Sequence, residues 1–183
     1  MSAGFPCQNF SHAGDQNTDD DRNMWPETLE TIGTVHPPLV ILENVANLVT
    51  GGHGYFGEVL GGLAENRYNA VWTCLPASDL GANHERERVW ILAWRQGLAD
   101  PDRKRLEKFY TSAVTGKLGQ HTRGTPADGA RSGLGVEPRP PGVADGVADR
   151  MDRTRAAGNG LVPQQMAVAF TMLTREVLRE TKP

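Results

Sequence analysis

A cysteine follows a proline near the start of the sequence, where residues 4–11 read Gly-Phe-Pro-Cys-Gln-Asn-Phe-Ser. Proline fixes its own φ and biases Phe5 toward an extended conformation, so the backbone just before the sulfur of Cys7 is stiff. A thiol aimed in this way is suited to nucleophilic attack, because the thiolate is the reactive form and needs a fixed direction. The same residues are compatible with a buried structural cysteine, since free cysteine also packs as a small apolar side chain.

A carboxylate follows a short apolar segment in the middle of the sequence. Residues 39–42 read Leu-Val-Ile-Leu and run directly into Glu43-Asn44-Val45. A continuous apolar run of this length is typical of a strand in a sheet covered on both faces. The carboxyl ends of parallel strands are where open α/β sheets bind ligands, so we expect Glu43 at such an edge, placed to donate a proton. The alternative is a carboxylate that caps the following turn.

Two arginines, Arg86 and Arg88, begin a segment over 86–94 that predicts a strand. Residues two apart on a strand point to the same face, and two guanidinium forks can orient a carboxylate or a planar heterocycle. The alternative is a pair of surface arginines in a salt-bridge cluster with Glu85 and Glu87, an arrangement that contributes little stability.

The remaining pattern predicts helices and strands that would position these side chains. Apolar spacing predicts helices over 25–35, with Pro26 in the first turn, and over 56–66, and a strand over 68–75. A last helix follows residue 163, with Met166, Phe170, Leu173 and Val177 on its apolar face. Residues 116–146 are rich in glycine and proline and predict a partly disordered insert or loop. The length favours a single α/β domain.

Composition and charge limit the cellular locations and binding partners that we expect. Two cysteines form no disulfide framework, and no apolar run approaches the roughly 18–20 residues of a membrane span, so we expect a soluble cytoplasmic protein. The five histidines lie far apart, which makes a zinc site unexpected. Residues 1–100 carry 5 Lys and Arg against 13 Asp and Glu, whereas residues 101–155 carry 11 against 7. The basic segment is compatible with contact to a polyanion.

Taken in order, these motifs resemble the DNA (cytosine-5)-methyltransferase family. Residues 4–11 are similar to its nucleophile motif nearly residue for residue, and residues 21–25 to the motif that follows it. Residues 43–45 match its Glu-Asn-Val motif, and residues 86–89 its Arg-x-Arg motif. Residues 158–163 resemble its final Gly-Asn motif, and residues 146–155 the segment before it. Each motif is weak by itself, but their common order is specific.

The resemblance implies an α/β fold: a partial Rossmann-like, S-adenosylmethionine-dependent methyltransferase sheet that lacks its N-terminal strands, with a reduced recognition segment. It divides the chain into a catalytic core over 1–98, a low-complexity or short recognition segment over 99–141, and a C-terminal motif and helix over 142–183. The glycine-rich cofactor loop of the family precedes the nucleophile motif, where this sequence begins. We therefore expect an N-terminally truncated enzyme, or half of a split enzyme whose second chain supplies that segment.

The implied reaction flips a cytosine out of double-stranded DNA, at a cost of a few kcal/mol of unstacking. Cys7 attacks C6, Glu43 engages N3 and the exocyclic amine, and Arg88 binds O2. Arg86 supports Cys7 and Glu43 electrostatically, and C5 takes the methyl group of S-adenosylmethionine. The implied cofactor contacts are Pro6, Met24, Asn159 and Gly160, and the implied substrate contacts are Gln8, Ser11, Asn44 and Val45.

Other functions remain open at this stage. The chain could be a catalytically inert remnant that binds DNA weakly, or a thiol hydrolase that pairs Cys7 with His12 or His84, although no triad or oxyanion signature accompanies the cysteine. His84 also departs from the family, many of whose members have glutamine there. An RNA substrate is a further alternative, because related folds act on tRNA. A restriction-modification or phage context would fit the family.

Overall fold

The computed structural model describes residues 1–5, 23–51, 54–80, 86–115 and 163–182. The described chain alternates between strands and helices, which gives a mixed α/β fold. In chain order the elements are β1 (Ser2–Ala3), α1 (Trp25–Val35), β2 (Leu39–Val45), α2 (Asn47–Thr50), α3 (Tyr55–Glu65), β3 (Tyr68–Leu75), a short 3₁₀ helix (Ala77–Leu80), β4 (Arg88–Arg95), α4 (Asp100–Val114) and α5 (Pro163–Glu180).

The four strands form one sheet in the order β1-β2-β4-β3. β1 pairs with β2 in parallel, whereas β4 is antiparallel to both β2 and β3. The register sets Val45 opposite Arg88 and Glu43 opposite Trp90. The carboxyl end of β2 and the start of β4 therefore meet at the same edge of the sheet.

Helices cover the sheet on both faces, and β2 shows this most clearly. Val40 and Leu42 belong to a buried cluster that includes Trp25 and Ile32 of α1 and Val59 of α3, called here the α1–α3 cluster. Ile41 points the other way, into a second buried cluster. That second group, called here the α4–α5 cluster, comprises Ile41, Leu75, Trp90, Leu92, Trp94, Leu106, Ala169, Leu173 and Val177. The doubly covered strand expected from the apolar run is confirmed, as is the partial Rossmann-like methyltransferase fold class.

Helix ends follow local sequence signals. α1 has the predicted bounds, with Pro26 in its first turn, and it ends at His36, a left-handed residue (φ 49°) whose N–H donates to the carbonyl of Ile32 at 2.9 Å. Two prolines follow, which cannot continue a helix because they lack the N–H. α3 ends at Asn66 as expected, and β3 has its predicted bounds. No helix in the described ranges is both long and apolar enough to cross a membrane.

Several features differ from the sequence prediction. β2 continues to Val45, so Glu43 lies within the strand rather than after it. β4 begins only at Arg88, because Arg86 has a φ of 26° that is incompatible with a strand. The segment predicted over 99–141 as low-complexity begins with a regular helix, α4, whose Leu106 is buried and whose Phe109 packs on Phe170 of α5 at 4.7 Å.

Candidate active site

An ion pair lies at the edge where β2 and β4 meet. The Nε of Arg88 is 2.9 Å from Oε1 of Glu43, and the two side chains are only 16% and 20% exposed, respectively. Nη1 of Arg88 also donates to the backbone carbonyl of Glu87, at 2.9 Å. The guanidinium is therefore held through two of its nitrogen atoms, Nε and Nη1. It offers five N–H donors in all, so others remain for a ligand. The structure thus brings together the carboxylate and one of the arginines that the sequence singled out.

The segment that leads to Cys7 passes close to this carboxylate. A Cβ on Gly4 would lie 3.3 Å from Oε2 of Glu43, which is tighter than ordinary van der Waals contact. Glycine allows the backbone to approach the carboxylate here, because any side chain would push against it. Gly4 precedes Cys7 by only three residues. The two oxygens of Glu43 therefore face Arg88 on one side and the N-terminal segment on the other.

Asn44 holds that N-terminal segment in place from the opposite face of β2. Its Nδ2 donates to the carbonyl of Phe5 at 3.1 Å, and its Oδ1 accepts the N–H of Val45 at 2.8 Å. Asn44 is buried, and Val45 packs against the α1–α3 cluster. Both ends of the amide are thus engaged within the chain. The substrate contacts of Asn44 and Val45 stay predictions, and in the structure Asn44 also holds the backbone that leads to Cys7.

Arg86 lies just before β4 rather than on it. Strand alternation was the reason for expecting Arg86 and Arg88 on one face, and this reasoning is wrong because the strand begins at Arg88. The carbonyl of Arg86 accepts a hydrogen bond from Nε2 of Gln165, at 3.0 Å. Gln165, on α5, was not identified from the sequence. The only signal was a glutamine at a position that helical spacing places among buried apolar residues.

Met24 is the one predicted cofactor contact in the described ranges. It precedes α1, and its side chain is 40% exposed. The backbone on both sides is held, because Asn23 accepts the N–H of Trp25 at 3.2 Å and donates to the hydroxyl of Tyr55 at 2.5 Å. An open apolar side chain on a fixed backbone fits a contact with a cofactor. The other predicted site residues lie outside the described residues: Pro6, Cys7, Gln8, Ser11, Asn159 and Gly160, together with His12 and His84.

Cys74 is the second cysteine of the chain, and it lies half-buried on β3. Burial raises the pKa of its thiol, and the nearby charge of Glu87 raises that pKa further. A thiol that stays protonated is a poor nucleophile, which argues against such a role for Cys74. Within the described part of the chain, no group of three or more His, Cys, Asp and Glu side chains is arranged to hold a metal ion.

Comparison with known proteins decides the family. The sequence profile of the C-5 cytosine-specific DNA methylase family matches residues 1–125, about two thirds of the chain. The chain belongs to this family. The motifs had indicated the same family, and that expectation is confirmed.

Curated relatives of this chain include bacterial type II methyltransferases. It is 36% identical over 100 residues to M.Bsp6I of a Bacillus species, covering 52% of this chain and 32% of the relative. It is 33% identical over 126 residues to M1.ScrFI of Lactococcus lactis, covering 67% and 31%. Over 98 residues it is 33% identical to M.BsuRI of Bacillus subtilis, covering 52% and 22%. The chain thus aligns with about a fifth to a third of the length of these relatives.

Proposed function

We propose that this methylase chain carries the catalytic centre of a DNA (cytosine-5)-methyltransferase, which acts on a cytosine flipped out of double-stranded DNA. The pair of Glu43 and Arg88 is the observation that carries the proposal. It joins the Glu-Asn-Val and Arg-x-Arg motifs at one sheet edge, beside the segment that leads to Cys7. A carboxyl group next to a guanidinium can share a proton with a ring nitrogen and accept an N–H, while the guanidinium offers several N–H donors to the same planar ring, as a cytosine requires.

In the proposed reaction the thiolate of Cys7 adds to C6 of the cytosine. The new S–C bond opens the C5–C6 double bond and moves its electron pair toward C5, which is otherwise a poor nucleophile. S-adenosylmethionine, when bound, would supply the methyl group that C5 acquires, and S-adenosylhomocysteine would leave. A base then removes the proton of C5, the double bond forms again, and the bond between C6 and Cys7 breaks to return the thiolate.

Glu43 and Arg88 stabilise this addition through the far side of the ring. Glu43 shares a proton with N3 and accepts a hydrogen bond from the exocyclic amine, which draws electron density away from C6 as sulfur attacks. Arg88 keeps the carboxylate oriented through Nε and directs remaining N–H groups at O2. Arg86, two residues before β4, adds positive charge near the same edge, in keeping with its proposed electrostatic role. Removing one such fixed donor or proton source typically lowers a rate by about 10²–10⁴-fold.

Met24 would contact the cofactor together with Pro6, Asn159 and Gly160, and Gln8 and Ser11 would contact the DNA. The domain bounds and the cytoplasmic setting expected from the sequence also stay predictions. The names of the relatives favour a type II restriction-modification context. A second chain that supplies the glycine-rich cofactor segment remains part of the proposal.

A trapping experiment tests the proposed nucleophile. A random duplex library that contains 5-fluorodeoxycytidine is incubated with S-adenosylmethionine and the chain, alone and together with a separately expressed segment carrying the glycine-rich cofactor loop. Fluorine at C5 cannot leave as a proton does, so the adduct with Cys7 should survive denaturing electrophoresis. We expect the adduct with wild-type protein and with Cys74→Ser, and none with Cys7→Ser. An adduct in Cys7→Ser, or its loss in Cys74→Ser, would overturn the assignment.

A catalytically inert remnant that binds DNA weakly is the second candidate function. Titration calorimetry with S-adenosylmethionine separates the two functions. A remnant binds no cofactor, either alone or with the separately expressed cofactor segment. A split enzyme binds the cofactor when that segment is added. Absence of both binding and adduct in the completed mixture would favour the remnant.

A further inference from the structure

Gln165 is a buried amide near the start of α5, with 1% of its surface exposed. Its Nε2 donates to two backbone carbonyls, those of Leu75 and Arg86, the latter at 3.0 Å. Leu75 is the last residue of β3, and Arg86 stands two residues before β4. One side chain of the C-terminal helix therefore ties together the two ends of the connection between β3 and β4.

The chemistry of the two partners fixes the orientation of this amide. Both are carbonyl oxygens, which only accept hydrogen bonds, so the NH₂ group of Gln165 must face them. Two carbonyls match the two hydrogens of Nε2. Oε1 of Gln165 has no hydrogen-bond partner among the described residues and is buried. A buried amide oxygen without a hydrogen bond lowers the stability of the fold. The two bonds that Nε2 donates are therefore the favourable contribution of Gln165 at this position.

The carbonyl that Gln165 holds belongs to a residue with an uncommon backbone. Arg86 has a φ of 26°, a conformation that L-residues rarely adopt and that persists only where neighbouring contacts impose it. The backbone must leave this conformation and enter β4 within two residues. Arg88 then stands opposite Val45 and reaches Glu43 with its Nε. Any relaxation at Arg86 would therefore be transmitted directly to the direction of the Arg88 guanidinium.

We infer that Gln165 is a positioning residue for the base-binding pair: through the carbonyl of Arg86 it fixes the start of β4, and so the contact of Arg88 with Glu43. Its role in catalysis rests on the proposed function, whereas its effect on Arg88 does not. The C-terminal helix is thereby connected to the site, although it contributes no group to the proposed base contacts. A substitution on α5 should thus alter the site without touching the substrate.

Proton exchange at the Arg88 side chain measures this effect without any assay of methyl transfer. The Nε–H signal of Arg88 is assigned in a ¹⁵N–¹H spectrum by its loss in Arg88→Lys. In the wild type we expect it to exchange with solvent at least tenfold more slowly than that of Arg105, whose side chain is 81% exposed. Gln165→Met keeps the length of the side chain but removes both donors. It should accelerate exchange at Arg88 at least tenfold.

Two matched variants separate positioning from general destabilisation. Gln164→Met makes the same change at the neighbouring exposed residue and should leave exchange within twofold of wild type. Leu173→Ala removes buried apolar volume from the same helix without touching either carbonyl. Compared at equal residual stability, it should leave exchange within threefold. If Gln165→Met does not fold, Gln165→Glu, which replaces the donors by an acceptor of equal size, is expected to show the same acceleration.

Three outcomes would overturn the inference: rapid exchange in the wild type, unchanged exchange in the Gln165 variant, or equal acceleration in Leu173→Ala. Methyl transfer by the completed enzyme provides the second readout. We expect kcat to fall at least tenfold in Gln165→Met, with KM for S-adenosylmethionine within twofold. If no protein transfers a methyl group but the exchange pattern holds, the proposed function fails and the positioning role stands. If wild type and Gln165→Met are equally active and exchange equally, the positioning role alone fails.

Discussion

Arg88 contacts Glu43 diagonally across β2 and β4, at 2.9 Å, and not from the position directly opposite. The register pairs Arg88 with Val45 and Glu43 with Trp90. Diagonal neighbours on a sheet are separated by about 7–8 Å between backbone positions, a span that a long side chain can bridge. The guanidinium therefore lies along the sheet edge and uses Nε on the carboxylate. Nη1 is engaged by the carbonyl of Glu87, and the other terminal N–H groups remain as donors for a ring.

The partial burial of this pair predicts a measurable coupling energy. In a double-mutant cycle with Glu43→Gln and Arg88→Met, we expect a coupling of about 1–2 kcal/mol in the free energy of unfolding, from urea denaturation at low salt. The reason is that two charges shielded from water interact more strongly than exposed ones. The exposed pair of Glu176 and Arg179 on α5 is the matched control, with an expected coupling below about 0.5 kcal/mol. Equal coupling in the two cycles would contradict the prediction.

Neighbouring glycines on α3 should respond to alanine in opposite directions. A Cβ on Gly62 would lie 2.6 Å from Cδ2 of Leu29 on α1, whereas one on Gly61 meets nothing within 4 Å. Gly61→Ala should raise the free energy of unfolding by about 0.5–1 kcal/mol, because alanine favours the helix. Gly62→Ala should lower it by roughly 1–2 kcal/mol, because α1 and α3 must separate. Thermal unfolding of both variants checks the sign, and stabilisation by Gly62→Ala would show that Leu29 repacks freely.

Elements with consistent local signals were predictable from the sequence. α1 combines helical apolar spacing, a first-turn proline and a His-Pro-Pro stop, so its bounds were found at both ends. β3 and the apolar face of α5 were found for similar reasons. The pairing of Glu43 with Arg88 could be expected from the motifs. Its diagonal geometry could not, because register depends on how β2 and β4 pack together.

The features that the sequence did not predict share a different cause. Tertiary contacts outweighed the local sequence pattern there. α4 has a weakly apolar sequence, and Leu106 and Phe109 pack it against the rest of the fold. Arg86 reads as a strand residue, yet a contact with a helix nearly eighty residues later accompanies its uncommon φ. A polar residue such as Gln165 carries no local mark of its partners. Its buried position became interpretable only once the carbonyls beside it were located.

The buried hydroxyl of Tyr68 should make the protein less stable at alkaline pH. Its hydroxyl donates to the carbonyl of Pro37 at 2.6 Å, and burial raises the pKa of the phenol despite the opposing charge of Arg95. A raised pKa in the folded state means that the contribution is complete below the ordinary value of about 10 and is lost as pH rises through the folded value. We expect Tyr68→Phe to be less stable than wild type by about 1 kcal/mol at pH 8. Urea denaturation from pH 8 to 11 should show this gap narrowing above about pH 10, and a constant gap would contradict the assignment.

Asn44 should link the stability of the N-terminal segment to the reactivity of Cys7. That segment is held by the two-residue pairing of β1, by the terminal amino group on the carbonyl of Leu39 at 2.9 Å, and by Asn44 on the carbonyl of Phe5. Asn44→Ala leaves the last carbonyl without its donor and should lower the free energy of unfolding by about 1–3 kcal/mol.

Exposed Asn69 on β3 provides the control for this change, because Asn69→Ala should alter the free energy of unfolding by less than about 0.5 kcal/mol. The functional readout is the rate of adduct formation with fluorinated DNA at a urea concentration where every variant remains folded. A loosened segment no longer aims the thiol, so Asn44→Ala should form the adduct at least tenfold more slowly than wild type, and Asn69→Ala at the wild-type rate. A destabilised Asn44→Ala that still reacts at the wild-type rate would limit Asn44 to packing, because the backbone it holds would then not direct the sulfur.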